Sequence, residues 1–433
     1  MTASSDSTGA AGGAAHPTTD EGLVSPAKWR IVGPGLMVAA TGVGAADLVA
    51  TLVAGSRYGY ALLWCAVLGC VMKIVLVEGA GRWTLATGRT IFEGWQSLGR
   101  WTTWYFGPYI VIWGFVYGAA AMAGTGLALA ALFGGRVAWW GIASSLLGLA
   151  LVWTARYGLF EKVMAGLVAL MFVTMVGAAV LTTPNLPEMA AGLVPRLPDG
   201  SVIYVLSLAG GVGGTITLAA YGYWLREKGW ATPAFMRVMR LDNAMAYVIT
   251  GIFVIATLVV GAELFFSANI AVSTGDQGLL DVADVLRDRY GQTYGTLFLV
   301  GFWAAAMSSL LGVWHGVSLM FADFVAQSRG LGGDHPDARA GGRYYRGYLL
   351  WLSLPPIAII FWGQPVWLIL AYGVLGALFM PFMAVTLLWL LNTTRVPDQW
   401  RNRLHTNLAL LVIAGAFVWL AATELQKAVS NVL

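Results

Sequence analysis

Charged residues are scarce in this chain. They make up 11% of its 433 residues, whereas 58% are hydrophobic, and an average soluble domain is about 25% charged. A soluble fold cannot bury that much apolar surface, so the shortage of charge excludes an ordinary soluble globular protein. The net charge of +4 fits basic anchors at the ends of membrane helices, and nucleic acid is not expected as a partner.

Cysteine is rare as well, with two residues in the chain. Cys65 and Cys70 fall inside one apolar segment, where cysteine behaves as a small hydrophobic residue and does not indicate a disulfide or a zinc site. We also find no P-loop, HExxH or GxSxG motif in a suitable context. The sequence therefore predicts neither an enzyme nor a resident cofactor.

What the chain has instead is a series of long apolar segments. A helix that crosses a bilayer needs about 20 mostly apolar residues, and hydrocarbon requires that backbone polar groups be satisfied within the helix. The eleven segments are centred on residues 31–55, 60–84, 105–133, 138–155, 161–181, 203–225, 243–267, 294–325, 345–363, 365–392 and 406–427. We predict an all-α, multi-pass membrane protein with eleven transmembrane helices.

The ends of the segments predict an orientation. Residues 1–27 have no apolar core and no signal-peptide pattern, which is typical of a disordered tail. Eighteen Lys and Arg residues fall on the side of this tail and six on the other side. The positive-inside rule then places the N-terminus in the cytoplasm and the C-terminus outside, in what we expect to be a bacterial inner membrane. The sequence does not determine the oligomeric state, and a monomer is plausible.

Two of the segments are interrupted by glycine. The first contains Gly42-Val43-Gly44-Ala45, and the sixth contains Gly211-Val212-Gly213-Gly214. Paired interruptions at corresponding positions of two halves indicate inverted repeats with a substrate site near the middle of the membrane. The alternative is close packing of small residues between helices. On the first interpretation residues 28–200 form one repeat, residues 201–395 form the second, and residues 396–433 add the eleventh helix.

Seven stretches spread across the chain carry a resemblance to one family. They are Gly33–Gly35, Ala54–Trp64, Arg82–Gly88, Arg156–Lys162, Gly192–Pro195, Gly301–Ser309 and Pro381–Phe382. Together they resemble the NRAMP family of divalent metal transporters, from about residue 31 to residue 390. The resemblance implies a LeuT-type fold with 5+5 inverted repeats, in which discontinuous first and sixth helices enclose the substrate.

The chain departs from this family where the family binds metal. The family has Asp-Pro-Gly-Asn in its first helix, and here the aspartate position is Gly44 while Asp47 stands at the asparagine position. The sixth helix lacks the family's methionine and histidine. In the third helix the acidic pair associated with proton movement falls on Gly118 and Ala121, and a glutamine of the eighth helix becomes Met307.

Asp47 is the strongest candidate for a functional residue. A charge near the middle of the membrane usually faces a cavity or a partner, so Asp47 is interpreted as the main metal ligand, together with backbone carbonyls of the two breaks. The alternative is an aspartate that caps the second half of the broken helix. Because the thioether is missing, we expect a hard or hydrated ion such as Mg²⁺ or Mn²⁺. Transport would be secondary active transport by alternating access, and the loss of the acids weakens the case for proton symport.

Three further ionisable residues lie within predicted spans. Lys73 is interpreted either as an ion-pair partner of Asp47 and a fixed substitute for a coupling ion, or as a lysine that bonds to carbonyls. Glu78 is a proton-coupling candidate or a partner of Arg82 at i+4. His315 is a proton-relay candidate or a residue that hydrogen-bonds between helices.

Other residues near the breaks could contact a substrate. The candidates are Thr41, Gly44, Ser308, Ser309, Met307, Gly211, Gly214, Thr215, Thr217, Tyr221 and Tyr372. A second hypothesis keeps the fold but changes the substrate to a small organic solute or anion, with Lys73 and Asp47 as an internal ion pair. A salt bridge between these two residues would favour that hypothesis, and a free carboxylate would favour the metal. A third hypothesis is a sensor that transports nothing.

Two charged stretches follow the sixth segment. Arg226-Glu227-Lys228 and Arg240-Leu241-Asp242-Asn243 are most simply cytoplasmic anchors, and a salt-bridge gate on the inward path is the alternative. Asp323, near the end of the eighth segment, is expected to be solvated.

Overall fold

The computed structural model of the protein describes residues 33–154, 157–211, 213–267, 276–333, 335–361 and 365–430. Within these ranges the regular secondary structure is helical and contains no strand, as predicted for an all-α membrane protein. The predicted tail, residues 1–27, lies outside the described residues.

Eight α-helices precede residue 200 in the described part of the chain. They are α1 (Pro34–Thr41), α2 (Ala45–Tyr58), α3 (Leu63–Thr87), α4 (Ile91–Ser97), α5 (Arg100–Phe133), α6 (Val137–Thr154), α7 (Tyr157–Leu181) and α8 (Leu186–Gly192). Among the described residues after 200, nine more α-helices follow. They are α9 (Val202–Gly211), α10 (Thr217–Glu227), α11 (Met236–Gly261), α12 (Asp276–Tyr290), α13 (Gln292–Ser328), α14 (Arg343–Ser353), α15 (Ile357–Ile360), α16 (Pro365–Leu390) and α17 (Leu404–Ser430).

Six described helical stretches are long and apolar enough to cross a membrane. They are Asp47–Thr87, Arg100–Phe133, Val137–Thr154, Tyr157–Leu181, Pro233–Phe266 and Gln292–Ser328. Shorter apolar helices occupy Leu378–Leu390 and Leu404–Trp419. The predicted total of eleven spans remains a prediction, because broken spans do not reach the length of a full crossing.

The first and sixth predicted spans are each broken, as expected. α1 ends at Thr41 and α2 begins at Ala45, while α9 ends at Gly211 and α10 begins at Thr217. In the second break Gly213 and Gly214 have φ values of 82° and 94°, a left-handed conformation that glycine adopts without a steric penalty. The glycine clusters therefore end regular helix where the sequence predicted.

α1 lies in the interior of the protein. All eight of its residues are buried, and it packs against α10, α11 and α13. α13 is the longest helix, and most of its central residues, from Ala304 to Met320, are fully buried. This packing brings both breaks next to side chains of α3, α11 and α13, which determine the chemistry of the site.

Candidate functional site

The two helix breaks touch each other through their backbones. The amide of Gly213 donates to the carbonyl oxygen of Gly42 at 3.1 Å. A Cβ atom added at Gly42 would lie 2.0 Å from the carbonyl carbon of Gly213, closer than any real side chain could sit. Glycine is therefore required at residue 42 because the backbones approach this closely.

Donors from α13 cover the carbonyl end of α1. The Ser309 hydroxyl donates to the Thr41 carbonyl at 2.7 Å, and the Ser308 hydroxyl reaches the Ala40 carbonyl at 3.3 Å. A helix end leaves such carbonyls without intrahelical partners. The two serines of α13 therefore supply the hydrogen bonds that the break removed.

Donors from α3 and α11 cover the second break. The Lys73 ammonium, fully buried in α3, donates to the carbonyls of Gly210 at 2.7 Å and Gly214 at 2.5 Å. The Tyr247 hydroxyl donates to the Gly213 carbonyl at 3.0 Å. Lys73 thus bridges the end of α9 and the segment that leads into α10.

Several carbonyls of the two breaks accept hydrogen bonds from the protein in this conformation, among them those of Gly42, Gly210, Gly213 and Gly214. The physical reason is that an unsatisfied carbonyl in a dry interior costs several kcal/mol. Their expected role as substrate ligands stays a prediction. A substrate that uses these carbonyls would have to replace serine, tyrosine or lysine donors.

Asp47 lies at the start of α2, directly after the first break. Its Oδ2 accepts a hydrogen bond from the Gly44 amide at 3.1 Å, so the carboxylate caps the helix. Among the residues that the structure describes, no other group donates to this carboxylate, and Lys73 is not within ion-pair distance of it. The alternatives for Lys73 are thus resolved in this conformation toward carbonyl binding.

A small cavity opens at the first helix break, beside Gly44 and Ala45. It has a volume of about 20 Å³ and is lined by Gly44, Ala45, Tyr117, Ala120, Ala121, Ala306 and Ser309, which is room for one water molecule. Two of the lining positions, Gly44 and Ala121, are those at which the resemblance implied acids. The cavity therefore lies where the resemblance implied carboxylates.

Two buried hydroxyls at the second break have no hydrogen-bond partner within the described part of the chain. They belong to Thr215 and Thr217, both candidates from the sequence. The side chain of Thr215 lies against Gly376 of α16, and the hydroxyl of Thr217 lies against Gly214. Unpartnered buried hydroxyls are uncommon, so these two oxygens are available to a substrate or to water.

Four candidate residues from the sequence remain, which are Thr41, Met307, Gly211 and Tyr372. The Thr41 hydroxyl donates to the Met37 carbonyl within its own helix. Met307 approaches Gly148 of α6, and its neighbours Ala306 and Ser309 line the cavity in its place. Gly211 ends α9, and the side chain of Tyr372 lies outside the described residues.

Glu78 and His315 both have partners. Glu78 pairs with Arg82 at 3.1 Å and with Arg240 of α11 at 2.9 Å. The Trp224 indole of α10 donates to Nδ1 of His315 at 3.0 Å, and Phe160 stacks on the imidazole ring. These contacts match the alternatives without proton coupling, which were an ion pair with Arg82 for Glu78 and a hydrogen bond between helices for His315. A role in proton coupling stays a prediction for both residues.

Asp242 is the functional candidate that the sequence did not single out. Its carboxylate, in α11, accepts from the amides of Gly33 at 3.1 Å and Gly35 at 2.5 Å and from the Tyr221 hydroxyl at 3.0 Å. It therefore caps the N-terminus of α1 from another helix. The charged stretch around Asp242 was interpreted only as an anchor or a gate, and it gave no hint of this contact, since the partners are more than 200 residues away in the chain.

An ion pair lies next to the same helix end. Lys228 pairs with Glu161 of α7, and both side chains approach Gly33. The stretch that the sequence interpreted as an anchor thus also contacts the start of α1.

The prediction that Asp323 is solvated is wrong. Asp323 is buried and accepts a hydrogen bond from the Tyr223 hydroxyl at 2.6 Å. The reason is that α10 packs over this end of α13.

Comparison with solved structures supports the LeuT-type arrangement. A mutant of the manganese transporter of Eremococcus coleocola superposes with a TM-score of 0.75 at 14% identity, over 91% of this chain and 87% of that one. MhsT in complex with L-phenylalanine superposes with a TM-score of 0.50 at 15% identity, over 88% of this chain and 98% of that one. Identities this low show the fold alone, and they confirm the predicted fold class.

Sequence comparison shows the family. The chain is 26% identical over 308 residues to the divalent metal cation transporter MntH of Mycobacterium tuberculosis, which covers 68% of this chain and 70% of that protein. It is 23% identical over 302 residues to MntH of Klebsiella pneumoniae, covering 66% and 71%. A family model described as natural resistance-associated macrophage protein-like matches residues 35–426, so the chain belongs to the Nramp family.

Proposed function

We propose that this protein moves a divalent metal cation across the membrane by alternating access. The family, its relatives named divalent metal cation transporters, and the two broken helices support this function. The N-terminus would lie in the cytoplasm and the C-terminus outside, in agreement with the distribution of basic residues.

One observation carries the choice of substrate. The Lys73 ammonium is bound to two carbonyls, and the Asp47 carboxylate beside the first break has only the Gly44 amide as a donor among the described residues. Lys73 acts on this carboxylate only at longer range than an ion pair, and an ionisable residue inside the membrane is by default a functional-site hypothesis. The organic-solute hypothesis needs an ion pair between the two residues, and their separation favours the metal.

The oxygen atoms at the two breaks suggest a hard ion. The carboxylate of Asp47 and the hydroxyl of Ser309 both lie near Gly44, and the unpartnered hydroxyls of Thr215 and Thr217 lie at the second break. The residues that line the small cavity carry neither sulfur nor imidazole, and the described residues contain no cluster of three or more His, Cys, Asp or Glu side chains that could hold a metal. Oxygen ligands and water suit Mg²⁺ and Mn²⁺ better than soft transition metals.

Because the site offers few protein ligands, a bound ion would keep part of its hydration shell. Mg²⁺ in particular is usually bound through one or two carboxylates with several waters retained. The present cavity of about 20 Å³ is too small for a hydrated ion. Binding would therefore require the breaks to separate, which is the motion that alternating access supplies.

Calorimetric titration of the purified protein tests the proposed substrate. Mn²⁺, Mg²⁺ and Ca²⁺ represent oxygen-preferring ions, and Cd²⁺ represents a soft ion. We expect heat from at least one of the first three, weaker binding of Cd²⁺, and loss of binding in Asp47→Ala. Asp284→Asn, at an exposed acid of α12, is the matched control. Absence of binding by all four ions would transfer the proposal to an organic solute.

A further inference from the structure

A second, larger cavity lies away from the helix breaks. It has a volume of about 520 Å³ and lies between α3, α11 and the start of α17. Its walls carry four arginines, one histidine and one acid, which are Arg82, Arg240, Arg401, Arg403, His405 and Glu78. The cavity is thus strongly basic, on the side of the membrane that the positive-inside rule assigns to the cytoplasm.

Part of this positive charge is already used within the protein. Arg82 bonds to Glu78, to the Trp400 carbonyl and to the Asn402 side chain. Arg401 pairs with Asp398 at 2.7 Å. These two arginines hold the loop before α17 in place and have little capacity left for a ligand.

Three basic side chains remain open to the cavity. Arg240 shares Glu78 with Arg82, stacks on Trp400 and is 49% exposed. Arg403 and His405 are exposed, and neither side chain has a hydrogen-bond or ion-pair partner among the described residues. Guanidinium groups in this situation bind phosphate oxygens, often through two parallel hydrogen bonds.

The opposite wall of the cavity is apolar. Ile74 and Val75 of α3 and Ala409 of α17 line it. Further from the basic end, the same helices expose large apolar side chains, among them Val71 of α3 and Leu408 of α17. A ligand that fits both ends carries an anionic head and hydrocarbon chains.

We infer that this cavity binds an anionic phospholipid of the cytoplasmic leaflet. The phosphate lies among Arg240, Arg403 and His405, and the acyl chains run along the apolar surfaces of α3 and α17. Basic pockets between transmembrane helices are known to hold such headgroups. The bound lipid contacts α3, which carries Lys73, and α11, which carries Asp242, so it stabilises the two helices that hold the breaks closed.

Native mass spectrometry of the full chain, released from nanodiscs of mixed phosphatidylglycerol and phosphatidylcholine, tests this inference. We expect the wild type to retain phosphatidylglycerol in preference to phosphatidylcholine. The variant Arg403→Gln/His405→Gln should lose the preference by about fivefold or more, the weight of one basic residue near an anionic membrane. Arg343→Gln, at an exposed arginine at the start of α14, removes the same charge elsewhere and should change nothing.

Two outcomes would overturn the inference. One is equal retention of phosphatidylglycerol by the wild type and the double variant. The other is a wild type that retains the two lipids equally but, in lipid-free detergent, is stabilised by inorganic phosphate while the double variant is not; the site would then take soluble phosphate and not lipid. Neither readout depends on metal transport, so failure here leaves the proposed function untouched.

Discussion

The ammonium nitrogen of Lys73 lies 2.5 Å from the carbonyl oxygen of Gly214. The same ammonium reaches Gly210, on the other side of the break. One buried positive charge therefore holds together two backbone segments that no helical hydrogen bond connects. Since it already occupies these carbonyls, a separate coupling cation has no place there, and we interpret Lys73 as a cation that is fixed to the protein.

Replacing Lys73 tests this interpretation. Lys73→Ala removes two charge-assisted hydrogen bonds and leaves two buried carbonyls unpaired, which should cost about 2 kcal/mol or more of stability. The space left behind fits a small alkylammonium ion. We expect ethylammonium to raise the unfolding temperature of the variant and to leave the wild type unchanged.

The control for this experiment is Lys162→Ala, at an exposed lysine of α7. It should be as stable as the wild type and indifferent to ethylammonium. A Lys73→Ala protein that is fully stable without any added cation would show that the carbonyls do not need the ammonium.

Gly42→Ala should abolish transport, since the added methyl group would lie 2.0 Å from the Gly213 backbone. The breaks could then no longer meet in the present conformation. Gly166→Ala is the matched control, because Gly166 lies in α7 with nothing within 4 Å of an added Cβ atom. Uptake of Mn²⁺ into proteoliposomes measures both variants, and normal uptake by Gly42→Ala would mean that the contact between the breaks is not used in the cycle.

Asp242→Asn should release the N-terminus of α1. Its carboxylate accepts from two amides of that end, and loss of the charge weakens a capping interaction that also involves the helix dipole. We expect a cysteine at Val38, in a background without Cys65 and Cys70, to react about tenfold faster with a water-soluble maleimide, from hydrogen bonds worth about 1.5 kcal/mol or more.

The same labelling with Asp284→Asn should proceed at the wild-type rate, since that exposed acid pairs only with Arg287 of its own helix. If the labelling rate is unchanged in Asp242→Asn, the negative charge of Asp242 is not needed to keep α1 inaccessible to the maleimide. A faster rate would identify the contact of α11 with α1 as the closure on the proposed cytoplasmic side.

His315→Asn separates a hydrogen-bonding role from a proton relay. The amide oxygen of asparagine stands at the position of Nδ1 and can accept from the Trp224 indole as Nδ1 of His315 does, but it does not titrate. We expect uptake of Mn²⁺ by this variant to keep the wild-type rate and the wild-type pH dependence. A flattened pH profile with intact protein would restore His315 as a coupling residue.

The positions of the helix breaks could be predicted from the sequence, because glycine clusters act locally on the backbone. The partners of Lys73 could be predicted only as one of two alternatives. Its choice of carbonyls over Asp47 depends on how α3 packs against α9 and α10, and this packing is a property of the folded chain.

The roles of Asp242 and Asp323 could not be predicted in the same way. Each contacts a group far away in the chain, at Gly33 and Gly35 for the first and at Tyr223 for the second. Residue type and local hydrophobicity carry no information about such pairs. The same holds for the open basic cavity, which is lined both by Arg240 of α11 and by Arg403, directly before α17, although most of the second half of the chain separates them.

The most direct test of the account is Mn²⁺ and Mg²⁺ uptake by proteoliposomes that contain Asp47→Asn. Asparagine keeps a side-chain oxygen that can accept from the Gly44 amide, so the helix cap and the fold should survive, while the negative charge is lost. The account predicts a folded protein, with a wild-type unfolding temperature in the absence of metal, that no longer takes up either ion. Uptake at the wild-type rate would contradict it, because Asp47 would then be a helix cap and not the ligand of the transported cation.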